Sequence, residues 1–390
     1  MQRLTGTIQN YAWGDRRFIA ELQSRPVTGD PEAELWLGTH PSAPSILDDG
    51  RSLADAIASD PLAALGVETA ERFGELPFLA KVLAAAQPLS IQGHPSAQQA
   101  RTGFDRENRQ GIALDSPTRT YRDPNHKPEL ICALTPFQAK CGFRPLAATR
   151  ELFALLDGSG LDEVGERLAG PGTEAEILAT TLAWLVQSPA SQGADLAAAA
   201  VAAAESAPRG GQFDAALDWT AQIAALHPGD VGVVVALLLN HVSLEPNQAV
   251  FLGAGNLHAY LEGAGIELMA NSDNVVRGGL TPKHIDINEL LSVVDCTPID
   301  PLVQQANGAA HTFNSPVSEF SLSRLEIDGE SGFSVSGPEI VIATQGHIKI
   351  VQGQTAATLG PGESAWVPAS GGDCSASGSG ILFRATVGHL

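Results

Sequence analysis

Lysine is scarce in this chain. Across 390 residues the lysines are Lys81, Lys127, Lys140, Lys283 and Lys349, although lysine and arginine together number 23. The first four lie inside or beside polar motif blocks, as expected where a compact point charge serves a phosphate or a proton transfer. A bias toward arginine explains the scarcity but not the placement. Cysteine is sparse too: Cys132, Cys141, Cys296 and Cys374 are scattered without a CxxC pair. That pattern indicates neither a thiolate zinc knuckle nor a disulfide framework, and leaves buried thiols. The longest apolar run, Val231 to Leu239, is too short to span a bilayer, and Met1–Leu4 opens no signal-peptide pattern. A cytoplasmic protein without a membrane partner is expected. Positive charge is in deficit as well, with a net charge of -21, whose field repels nucleic acid and anionic lipid. What is present is core-forming material, 44% hydrophobic residues over a length that suits two or three domains.

The chemistry gathers around Pro88-Leu89-Ser90-Ile91-Gln92-Gly93-His94-Pro95. Gln92 and His94 stand two residues apart at the end of an apolar run, a spacing that on a strand points both to one face, with Ser90 in the same row. Such a row on a strand otherwise fit for burial is costly unless satisfied, and a cation with a polar ligand satisfies it. Glu129, at the mouth of the apolar strand Ile131 to Leu134, is a further ligand candidate, because an unpaired carboxylate there is expensive. His126 and Lys127 precede it on a proline-stiffened turn. His258 opens a strand after the turn, strand and turn of Leu244 to Ala254, where a β-barrel brings it opposite Gln92 and His94. Glu262, Glu267, the polar run Asn271-Ser272-Asp273-Asn274 and Arg277 to Lys283 follow, and read as a pocket wall. Near the start, Tyr11 to Gly14 and Ala33 to Pro41 join aromatics to glycine. There Trp13 and Glu34 suit a core or a pocket equally, and His40 reads as a turn cap.

Composition divides the chain. Residues 146–235 have helical propensity and period, with Gly, Pro and Ser breaks, and no chemistry is assigned to them; their one histidine, His227, precedes a proline. Val231 to Val242 reads as a strand whose start could equally be a short helix. Beyond about residue 311 come short strands with Gly and Ser turns. Leu359 to Ala369 repeats Leu244 to Ala254 in register, with Asp373 where the first copy has His258, so the second unit is expected to be structural.

Gln92, His94, Glu129 and His258 form a nitrogen and oxygen ligand set without sulfur, which suits zinc with an open position; manganese, iron and cobalt fit as well. With one carboxylate the loaded site keeps a charge of about +1 and can polarise a carbonyl. Proton transfer between adjacent sugar carbons then needs a base tuned toward neutrality and a distant anion anchor, for which the lysines and Arg277 serve.

The blocks Tyr11 to Gly14, Ala33 to Pro41, Pro88 to Pro95, His126 to Thr135, Asn256 to Tyr260 and Met269 to Lys283 resemble the zinc-dependent type I mannose-6-phosphate isomerases over residues 1 to about 310. The resemblance implies a mainly β fold: a cupin-like jelly-roll catalytic domain (1–145 and 236–310), an inserted α-helical domain (146–235) and a C-terminal β domain, a degenerate cupin-like barrel (311–390). It implies one zinc ion on Gln92, His94, Glu129 and His258, and interconversion of mannose 6-phosphate and fructose 6-phosphate through a cis-enediol. Pocket residues carry over to Trp13, Glu34, Ser90, Lys127, Glu267, Arg277 and Lys283. By the same resemblance Arg277 stabilises developing negative charge and Ser90 with Lys283 contacts phosphate. Lys127, His126, Asp273 and Glu267 are candidates for moving the proton, Lys127 foremost and His126 suited to ring opening. The expected partner is a small phosphorylated hexose, and the chain is expected to be a monomer. A metal-dependent cupin oxygenase and a non-catalytic sugar-phosphate binding protein are the alternatives.

Overall fold

In a computed structural model, which describes residues 1–156 and 160–388, the chain is mainly β with helices. Residues 157–159 of the expected helical segment and 389–390 of the C-terminal one lie outside the described residues. Strand His258–Ala270 is the spine of the larger sheet, which counts 11 strands. Its first half pairs with Gln92 and with strand Phe137–Phe143, its second half with Phe78–Ala85 and Glu129–Ala133. The register shifts between Tyr260 and Glu262, and Gly263 beside the shift has φ 118°. This bulge re-aims the strand, so that His258 and Glu267 serve two different ladders. A Cβ on Gly263 would lie 2.6 Å from the Pro136 carbonyl oxygen. Gly263→Ala is therefore expected to destabilise the chain by at least about 2 kcal/mol, measured by denaturant unfolding.

Strand Phe78–Ala85 is buried at all 8 positions and reads as the continuous apolar run of a two-sided strand, interrupted by Lys81 alone. The segment Pro88 to Pro95 contributes the short strand Ile91–Gly93, with Gln92 paired to His258 on one side and Arg277 on the other. His94 stands just past the strand end.

The second sheet counts 8 strands and is built mainly from residues beyond 310, but strand Gln2–Thr5 joins it by pairing with Ser364–Val367. The N-terminal residues thus cross the expected division at 311. The two sheets also share one core, in which Leu4, Phe78 and Ile266 pack with Phe320, Ile340 and Phe383. Among the described residues the strand pairings close neither sheet into a barrel. Strands Gln248–Leu252 and Ser364–Val367 fall at matching places in the two similar segments. Asp373, where the second segment lacks the histidine, accepts from Val335 N at 3.1 Å.

The expected helical segment contains helices Leu146–Leu155, Asp162–Leu168, Glu174–Gln187, Ala190–Ser206 and Asp214–Leu226, followed by Gly232–Leu238. Of the two readings of Val231 to Val242, the helical start holds: Gly232–Leu238 is a helix and Leu239–Leu244 the strand. Every residue of that helix is buried, so no polar face marks its period. It runs to Leu238, past the expected boundary at 235. The inserted helices share a core with Ile91 of the Gln92 strand and with Leu257 and Leu280, which flank neighbouring strands of the larger sheet.

Candidate active site and metal centre

The larger sheet brings His94, Glu129 and His258 together, all buried, with one donor atom of each within 4.8 Å of the others. His94 Nδ1 lies 2.8 Å from the Asn274 carbonyl and His258 Nδ1 2.9 Å from the Asn256 carbonyl. A carbonyl only accepts, so each Nδ1 carries the proton and each Nε2 presents a lone pair. Those lone pairs face the carboxylate: His94 Nε2 is 3.4 Å from Glu129 Oε1 and His258 Nε2 is 3.2 Å from Oε2. Among the described residues, His94 Nε2, His258 Nε2 and Glu129 Oε2 have no hydrogen-bond partner. Acceptors buried against acceptors are costly, and a cation between them removes the cost. Burial, and after it the Lys127 ammonium, pushes His94 down to about 4, which keeps the ring neutral as a ligand must be. Burial would raise the Glu129 carboxyl, but the Lys127 ammonium, whose Nζ lies 2.9 Å from Oε1, outweighs it and holds the group well below the usual range.

Glu129 of this centre lines a cavity of about 580 Å³. Trp13, Glu34, Ser90, Gln92, Lys127, Glu129, Glu267, Asp273, Arg277 and Lys283 all line it, so the sequence brings these separated segments to one place. Gln92, the fourth ligand expected from the sequence, lines the same cavity and pairs through its backbone with His258. His126 does not belong with them. It lines a different cavity, and its Nε2 is 2.8 Å from Glu319 Oε1 in the C-terminal segment. Lys127 lines the main cavity and His126 does not, so the two neighbours face different cavities. Burial and Arg122 lower Arg277, and burial, Arg277 and Arg122 lower Lys283, a cationic corner within an acidic protein.

Residues without an expected role also line the cavity. Lys81 Nζ bridges Glu34 Oε1 at 3.2 Å and Glu267 Oε2 at 2.8 Å, with all three buried. Burial alone would lower Lys81, but Glu267 and Glu34 outweigh it and raise it. The signal for it was a lone lysine in an apolar strand. Lys81→Met would leave two buried carboxylates facing each other, and is expected to cost roughly 3–5 kcal/mol by denaturant unfolding. His40 caps its turn as expected, its Nδ1 accepting from Ser42 N at 3.4 Å, and it also lines the cavity, with Nε2 3.2 Å from Asp273 Oδ1. That hydrogen bond, against burial, lowers the Asp273 carboxyl. The polar run Asn271 to Asn274 is partly scaffold. Asn274 accepts from Arg122 N at 2.7 Å through its side chain, and its carbonyl orients His94.

Residues 1–146 match the family model described as phosphomannose isomerase type I, catalytic domain. Along nearly its whole length the chain is 39% identical to mannose-6-phosphate isomerase of Escherichia coli strain K12, covering 98% of this chain and 99% of the relative. The chain belongs to the mannose-6-phosphate isomerase family. The likeness extends to the enzyme of Rattus norvegicus, at 31% identity over 97% of this chain and 92% of the relative. Two similar solved structures agree. A variant of phosphomannose isomerase from Salmonella typhimurium superposes with TM-score 0.91 at 39% identity, over 100% of both chains. A mannose 6-phosphate isomerase bound with zinc and yttrium does so with TM-score 0.91 at 39% identity, again over 100% of both chains. Glu129 of the lone-pair cluster and the cationic Arg277 and Lys283 line one cavity.

Proposed function

We propose that the chain interconverts mannose 6-phosphate and fructose 6-phosphate by proton transfer between C1 and C2 through a cis-enediol, with one zinc ion held by Gln92, His94, Glu129 and His258. The observation that carries this reading is the set of unpartnered acceptor atoms of His94, Glu129 and His258 turned toward one another. Zinc bound there supplies a Lewis acid for the sugar oxygens. Arg277 stabilises negative charge that develops as the C–H bond breaks. Ser90 and Lys283 take the phosphate, and Trp13 and Glu34 shape the wall between. Lys127, beside Glu129, is the foremost group for the proton transfer, with Asp273 and Glu267 next in reach of the cavity. Holding the phosphate at one end and the reacting carbons at the other converts binding into alignment.

The same reading treats residues 1–145 and 236–310 as a cupin-like jelly-roll catalytic domain, 146–235 as an inserted helical domain and 311–390 as a degenerate cupin-like domain. The protein acts as a cytoplasmic monomer; its cysteines are free thiols, as suits a reducing compartment. Incubation of the zinc-loaded chain with mannose 6-phosphate in deuterated water tests the reaction. The expected result is fructose 6-phosphate with deuterium at C1 and no oxygen uptake. Oxygen uptake would favour an oxygenase, and tight binding without product a non-catalytic binder.

A further inference from the structure

The inserted helices reach the cavity at one place. The turn between helices Asp214–Leu226 and Gly232–Leu238 sets Leu226 and His227 on the cavity wall, and it grips the pocket from two sides. On one side His227 lines the cavity with Pro88, just ahead of Ser90. On the other, Asp230 Oδ2 accepts from Thr281 N at 3.2 Å while its Oδ1 accepts from Gly232 N at 2.7 Å. The two segments also meet backbone to backbone. A Cβ on Gly232 would lie 2.8 Å from Leu280 N, and one on Gly279 2.8 Å from Gly232 Cα. Between these contacts Leu280 has φ 56°, a left-handed conformation that leucine holds only when its surroundings impose it. Its side chain is buried in the core of the inserted helices, with Leu217 and Val235. The loop that leaves the Arg277 strand and carries Lys283 is therefore held in a strained shape by the insertion.

We propose, resting on the mannose 6-phosphate reading above, that Asp230 is a positioning residue: it clamps the Leu280–Lys283 loop to the inserted helices and so sets the affinity for the phosphorylated end of the substrate. In the zinc-loaded full chain, Asp230→Ala is expected to raise KM for mannose 6-phosphate about tenfold and to weaken inhibition by inorganic phosphate to a similar degree, with kcat within about threefold and zinc content unchanged. Asp230→Asn, which keeps one acceptor, is expected to recover part of the KM. Asp214→Ala loosens the same helices elsewhere, by removing the acceptor for Gly210 N and Gly211 N, and is expected to leave KM unchanged. An unchanged KM in Asp230→Ala, or an equal shift in Asp214→Ala, overturns the positioning role. If Asp230→Ala does not fold, Asp230→Asn decides in the same way. A wild-type chain that fails to turn over mannose 6-phosphate would instead overturn the reading of the site.

Discussion

Glu129→Gln is expected to lose bound zinc and with it more than about a hundredfold in turnover. Groups that only orient a metal-binding histidine already cost about 10- to 100-fold in affinity when removed, and Glu129 stands inside that shell, opposite both Nε2 lone pairs. Glutamine has the same shape but can turn an NH2 toward the histidines, which satisfies their lone pairs without a metal. The variant should therefore fold, with an unfolding midpoint close to that of the metal-free wild type. Its zinc content by elemental analysis, read beside its turnover, checks this. Full zinc occupancy with normal turnover would remove Glu129 from the centre.

Arg277→Ala is expected to retain zinc and to lose about 10²–10³ in kcat, the size of effect seen when a preorganised donor to developing charge is removed. Arg277 is paired through its backbone to Gln92, so it sits one strand from the ligand set. The half-buried position lowers the competition from water and strengthens its field. Lys283 lies further along the loop, and Lys283→Ala should act mainly on KM. A normal kcat in zinc-loaded Arg277→Ala would assign it to binding alone.

His94, Glu129 and His258, which the structure brings together, were legible beside Gln92 because each of the four breaks a local rule. Gln92 and His94 put polar groups on an apolar strand, Glu129 puts a carboxylate at a buried strand mouth, and His258 opens a strand at a turn. Lys81 breaks the same rule, yet its partners Glu34 and Glu267 lie 47 and 186 residues away, and spacing does not reveal a triad assembled across three strands. His126 shows the converse: adjacency to Lys127 and Glu129 in sequence does not say which cavity a side chain lines. Helix Ala97–Arg109 carries a capping box, Ser96 with Gln99, that pattern reading can find. Helix Gly232–Leu238 carries no such mark, because burial on all sides erases period. The joining of Gln2–Thr5 to the C-terminal sheet is a long-range pairing that no local signal encodes.

The central claim is that the facing acceptors of His94, Glu129 and His258 hold a metal on which isomerisation depends. It is tested most directly by a coupled assay of mannose 6-phosphate conversion to fructose 6-phosphate, run before chelation, after it, and after zinc is restored. The account predicts loss of turnover on chelation and its return with zinc at one equivalent per chain. Conversion that continues undiminished in the chelated, metal-free protein would contradict it.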